Sequence, residues 1–210
     1  MQTGFSLLGI TDVWQLVAAT TLFLLLPGPG TFCILTCTGQ RGVGGGFASL
    51  AGIMVGDVAL MILAAIGVAA LLQANPLVFR GVQYLGAAYL IFLGCKLLFA
   101  KGEGASAVVP FTKSTDFRRG LLVTLINPKA IVFYMAFFPL FINPILHRGS
   151  VTFLAMGVII SCCTFVYGTL LVFGGNAAAQ RLKQDKRITL FASKAAGFFL
   201  IGFGIKLTVN

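Results

Sequence analysis

Six long apolar stretches, separated by short polar breaks, run through this chain at approximately residues 12–38, 48–72, 77–100, 117–141, 150–175 and 190–208. A bilayer core about 30 Å thick takes roughly 20 apolar residues per helix, so each run is long enough to cross. The breaks between them read "GQRGVGGGF", "QANP", "KGEGASAVVPFTKSTD", "INPILHRG" and "NAAAQRLKQDKR". The first run has no basic leader and continues past the apolar length of a signal peptide, so it is expected to be a retained span. The pattern predicts an all-α integral membrane protein with six transmembrane helices.

The first run contains an anomaly, "TTLFLLLPGPGTFCILTC". An internal proline costs a helix about 3 kcal/mol and a glycine about 1 kcal/mol, so Pro27, Gly28, Pro29 and Gly30 should break the first span near its middle. The fourth run carries Asn127, Pro128 and Lys129 at the matching depth. Backbone freed from its helix at that depth is tolerated only where protein or a water-filled cavity satisfies it. Two facing breaks would therefore build a polar site, and their half-helix N-termini suit a carboxylate.

The two halves also resemble each other. At a shift of 110 residues, Leu90, Ile91, Gly94, Lys96 and Leu97 fall on Leu200, Ile201, Gly204, Lys206 and Leu207. Gly52 meets Gly157 at a shift of 105, and "LPGPG" meets "INPKA" at a shift near 100. With three crossings each, the halves would enter the membrane from opposite sides as inverted repeats. The expectation is a single transmembrane transporter domain over residues 1–210, with repeat one at about 12–100 and repeat two at about 117–208.

Composition agrees: 58% of the residues are hydrophobic, only five are acidic, and the mean hydropathy is +0.99. Such a chain has too little polar surface to cover a soluble globule. The net charge of +10 comes from loops. Arg41, Lys101, Lys113, Arg118, Arg119, Arg181, Lys183, Lys186 and Arg187 fall on one side, against Arg80, Arg148 and Lys206 on the other. Short basic loops stay cytoplasmic, which puts both termini on the outer face and makes the basic surface a solvated one, not a nucleic-acid site. Cys33, Cys37, Cys95, Cys162 and Cys163 all lie in apolar runs and read as small hydrophobes. His147 reads as a solvated loop residue.

Two charges stand out by depth. Asp57, about nine residues into the second span, and Lys129, at the middle of the fourth, each cost a few kcal/mol unless paired. They either meet one another or each await an opposite charge on a ligand. A free amino acid would suit them, with its carboxylate against Lys129 and the half-helix amides and its ammonium toward Asp57. Asp57 could also carry a proton as the site alternates. Gly52 and Gly56, spaced four apart behind the loop glycines Gly42, Gly44, Gly45 and Gly46, favour close helix packing over sliding.

The segments "LLPGPG", "RGVGGGFASLAGIMVGD", "VQYLGAAYLIFLGCKLL" and "INPKAIVFY" resemble the lysine exporter family. These are also called RhtB-type (homoserine/threonine) amino-acid exporters, and the chain is most similar to their leucine-exporter (LeuE) type. The resemblance covers nearly the whole length. It implies a bacterial inner-membrane protein, not an enzyme, that expels amino acids by proton antiport. It also implies site roles for Pro27, Gly28, Pro29, Asp57, Asn127, Pro128 and Lys129, with Asp57 as the proton-coupling group. The family usually has Asn where this chain has Gly30, so backbone groups are expected to serve at that position.

The expected partners are an amino-acid substrate, protons and lipid. No nucleic acid, cofactor or metal is expected, and a homo-oligomer is compatible with the sequence. A membrane thiol/disulfide relay would use Cys33 and Cys37, one turn apart beyond PGPG, but the fourth span carries no cysteine to answer them. A passive channel would have no need of Asp57.

Overall fold

A computed structural model describes residues 9–26, 28–74, 115–142 and 149–184, together with isolated positions between 77 and 99 and between 194 and 205. Five helices carry the described chain: α1 (Val13–Leu25), α2 (Pro29–Ala74), α3 (Asp116–Leu125), α4 (Pro128–Phe141) and α5 (Ser150–Gln184). Among the described residues there is no strand, only an isolated bridge between Ile10 and Ile142. The fold is all-helical. Most of the third and sixth apolar runs, with Lys96, Lys206 and His147, lies outside the described residues.

Each helix end has a local cause. Asp12 caps α1 by accepting from the Gln15 N–H at 3.1 Å, as N-terminal amides without a helical partner require. The proline at position 27 has no N–H, so the Phe23 carbonyl loses the donor that would continue the helix. α1 stops at Leu25, and Leu26 turns into extended backbone with ψ 110°. In the fourth run, α3 ends at Leu125, with Ile126 as its C-cap. Asn127 then caps α4, its Oδ1 accepting from the Lys129 N–H at 3.1 Å, with Pro128 at the first helical position. α3 and α4 are bent by 62° across this break. Both interruptions fall where the Pro/Gly and Asn-Pro clusters put them.

α2 is not one rod. Arg41 and Gly42 leave the helical region, Gly42 with φ of 68°, a left-handed conformation that only glycine adopts cheaply. The Cys33 thiol and Ser49 hydroxyl, 16 positions apart, approach to 3.3 Å. In a straight helix that separation would span about 24 Å. The two arms of α2 therefore fold back on each other as a helical hairpin. The nine-residue flexible loop expected at residues 39–47 is corrected to a two-residue reversal, because Gly45 and Gly46 are used for contact: a Cβ on Gly46 would overlap the Thr38 hydroxyl.

Glycine also sets the packing of α2 on α3. A Cβ on Gly52 would collide with the Phe117 carbonyl, and one on Gly120 with the Ser49 carbonyl. The two backbones touch there, the close approach that small residues permit. Arg41 Nη1 reaches Asp116 Oδ2 at 3.2 Å, and Arg119 Nη1 reaches Gln40 Oε1 at 3.5 Å. These contacts bring the ends of the first and third connections together. Asp116, the acid of the pair with Arg41, is buried at 5% exposure.

At the other end of the molecule the Thr11 N–H donates to the Phe141 carbonyl at 2.9 Å, so the start of α1 lies beside the end of α4. Between them is an aromatic column. Phe23 stacks on Phe133 at 3.7 Å between ring centroids, and Phe133 stacks on Phe137 at 4.2 Å. With Leu16, Met61, Phe138, Phe141, Met156 and Ile160 these rings form the main core. Large apolar side chains such as Ile66, Leu154, Leu170 and Phe173 point outward instead, as lipid-facing surface requires. Among the described residues Pro29–Ala70 and Ser150–Gly174 are long and apolar enough to cross a membrane. The bent α3–α4 pair makes a third such segment.

Candidate functional site

Both breaks open onto the same small cavity. Its wall includes Phe23, Leu26, Gly28, Gly30 and Thr31 from the first break, Thr124, Asn127, Lys129 and Ala130 from the second, and Asp57, Tyr134, Thr164 and Tyr167 from the helices between. The volume is about 70 Å³, room for about two waters at roughly 30 Å³ each and well below the 300 Å³ or so at which ordinary ligand pockets begin. Among the described residues, only this small space lies between the two breaks. A larger cavity of about 920 Å³ between α2 and α5 is lined by Val58, Ile62, Phe153, Leu154 and Phe165 among others, none charged. It offers an ionised ligand nothing.

Of the residues singled out from the sequence, Gly28, Gly30, Asp57, Asn127 and Lys129 line the small cavity. Pro29 begins α2 and Pro128 begins α4. Pro27 lies outside the described residues. At the head of α2, Pro29 has no N–H, and the N–H groups of Gly30 and Thr31 precede the first helical bond, from Phe32 N–H to Gly28 O at 3.1 Å. A helix N-terminus with free donors and partial positive charge therefore faces the cavity. A Cβ on Gly30 would rest 3.6 Å from Ile53 Cδ1, an ordinary contact. The absent side chain at position 30 is thus a matter of cavity size, not of fold.

Asp57 and Lys129 do not pair. Asp57, 7% exposed, faces the hydroxyls of Tyr134 on α4 and Thr164 on α5, and the Thr164 hydroxyl is buried with no hydrogen-bond partner. Lys129 turns the other way. Its Nζ donates to the Leu26 carbonyl at 3.0 Å and the Phe23 carbonyl at 3.3 Å, and lies 4.4 Å from the centroid of the Phe23 ring. These are the carbonyls that the end of α1 leaves over, and a cation at a helix C-terminus also meets its partial negative charge. The one lysine of the second break thus caps the first.

Several members of this wall were not singled out in the sequence. Thr31 Oγ1 lies 3.3 Å from the Tyr167 hydroxyl, joining the head of α2 to α5. Tyr134 is five positions beyond Lys129 in "INPKAIVFY", and its register on the capped helix was the one available signal. Phe23, Thr164 and Tyr167 carry no local mark.

Opposite charges and two broken helices thus meet on one small cavity, and comparison of the sequence says to which family the chain belongs. The model of the LysE type translocator family matches residues 21–210. The chain belongs to this family. It is a membrane translocator, not an enzyme. It is 38% identical over 207 residues to an uncharacterized membrane protein of Pseudomonas aeruginosa, covering 95% of this chain and 96% of that one. It is 35% identical over 208 residues to the leucine efflux protein of Salmonella typhimurium, covering 97% of each chain. It is 34% identical over 206 residues to that of an Enterobacter species, covering 97% of this chain and 98% of the other. No solved structure matches.

Proposed function

We infer that this LysE-type translocator exports small amino acids, leucine-like apolar ones above all, from the cytoplasm by proton antiport with alternating access. One observation carries the reading. Both helix breaks, the Asp57 carboxylate and the Lys129 ammonium line one small cavity, and a zwitterion has one group for each charge. Its ammonium would go to Asp57, and its carboxylate to Lys129 with the free N–H groups of Gly30 and Thr31. Ile34, Ile53, Leu24 and Ala130, on the same wall, suit an apolar side chain. The likeness to leucine efflux proteins over nearly the full length supports leucine as the first cargo to try.

In this reading residues 1–210 form one transporter domain of two inverted three-helix repeats in the bacterial inner membrane, with both termini on the periplasmic side. α1 with the first arm of α2, and α3 with α4, are the broken helices one and four. Two contacts support the arrangement: Thr11 with Phe141 at one end and Arg41 with Asp116 at the other are what antiparallel broken spans would make. A cavity that holds about two waters must enlarge to admit cargo, which supports access from one side at a time. Asp57, the buried acid on the cavity wall, is the residue proposed to exchange the proton.

Counterflow in proteoliposomes tests the function. Vesicles preloaded with unlabelled leucine are expected to take up labelled leucine well above protein-free vesicles, and an imposed pH gradient is expected to drive net movement. Absence of counterflow for leucine and for every other small apolar amino acid would refute the export reading.

A further inference from the structure

Lys129 has two competing employments. In this structure its ammonium is spent on the carbonyls of Phe23 and Leu26 and on the ring of Phe23. A cargo carboxylate arriving at the same ammonium brings full negative charge beside those two carbonyl oxygens and the negative end of α1. An ammonium has three N–H donors, two of which already go to these carbonyls, so a carboxylate that takes the cation in full must draw it away from them. A carboxylate is also the stronger acceptor, because its hydrogen bond with an ammonium is charge-assisted on both sides.

The geometry points to Lys129 as a positioning latch: in the empty carrier it holds the end of α1 against the second break, and the cargo's carboxylate releases α1 by taking the ammonium away. The inference rests on the proposed amino-acid site and adds how occupancy is converted into movement. The element that moves is α1. Its last turn is tied to the second break by these two bonds and the Phe23–Phe133 stack at 3.7 Å, whereas the head of α2 presents donors that attract the carboxylate. The cargo's two ends then have different duties. The ammonium end contributes affinity at Asp57, and only the carboxylate end unlocks α1.

Hydrogen exchange of the full chain in lipid nanodiscs separates these duties. Amides of residues 20–26 are followed with no ligand, with leucine, and with leucine amide, which keeps the ammonium and lacks the carboxylate; binding of each ligand is measured alongside by calorimetry. Leucine is expected to speed exchange in this segment by roughly tenfold, the scale of losing hydrogen bonds to a charged donor. Leucine amide is expected to bind more weakly and leave the segment as slow as in the empty carrier. Lys129→Met should exchange fast here without ligand, while Lys129→Arg keeps the ligand-dependent difference. Leucine binding with no change at residues 20–26, or an equal acceleration by leucine amide, overturns the latch and leaves the site standing. Failure of both ligands to bind removes the amino-acid site and the latch together.

Discussion

Asp57 shows how far one residue can be read in isolation. An acid nine residues into an apolar run is conspicuous because an unpaired charge at that depth is costly, and the fold buries it at 7% exposure on the cavity wall. Its company was not legible. Tyr134 and Thr164 come from α4 and α5, and a tyrosine or threonine in a hydrophobic helix carries no mark until tertiary packing points it somewhere. Lys129 was conspicuous for the same reason as Asp57, yet its partners are backbone carbonyls, which no side-chain pattern announces. Asp57→Asn is expected to insert and fold, keep leucine counterflow to some extent, and lose net movement driven by a pH gradient. Gradient-driven movement equal to the parent's in vesicles would take Asp57 out of proton coupling.

At the scale of elements the interruptions were the readable part. Proline without an N–H ends α1, and Asn127 with Pro128 starts α4, both direct consequences of backbone chemistry. The glycine-rich stretch was misleading because glycine serves two opposite purposes. Only Gly42 supplies a left-handed turn, whereas Gly46, Gly52 and Gly56 are rigid contact points against Thr38, Phe117 and Thr124. The choice between flexibility and packing depends on what lies opposite, and for Gly52 and Gly56 that is α3, some 65 residues away in sequence. Gly52→Ala tests the packing role. A methyl aimed at the Phe117 carbonyl should lower stability by about 1–3 kcal/mol, as overpacking does, and appear as a reduced unfolding temperature in detergent. An unchanged temperature would mean that α2 and α3 are free to separate.

At the scale of the molecule the described helices are held at two unlike ends. Where α2 meets α3, polar bonds hold them: Arg41 to Asp116 and Arg119 to Gln40, while Cys33 to Ser49 ties the two arms of α2. Where α1 meets α4, stacked phenylalanines and one backbone bond hold them. The sequence forecast the apolar runs that make these helices, but not the division of labour, because 20 phenylalanines spread through the chain do not say which of them stack. The thiols have structural company. Cys33 contacts Ser49, and the Arg119 guanidinium lies 3.8 Å from the Cys37 sulfur; all the described cysteines are free.

The central claim is that cargo sits between the two helix breaks. In a variant with every native cysteine replaced, single cysteines at Thr31 and Asn127, and a control at Leu154 in the apolar groove, can be labelled with a small thiol reagent in the presence and absence of leucine. The account predicts that leucine slows labelling at residues 31 and 127 and leaves residue 154 unaffected. Equal labelling rates at both breaks with leucine present, or protection confined to residue 154, would contradict it.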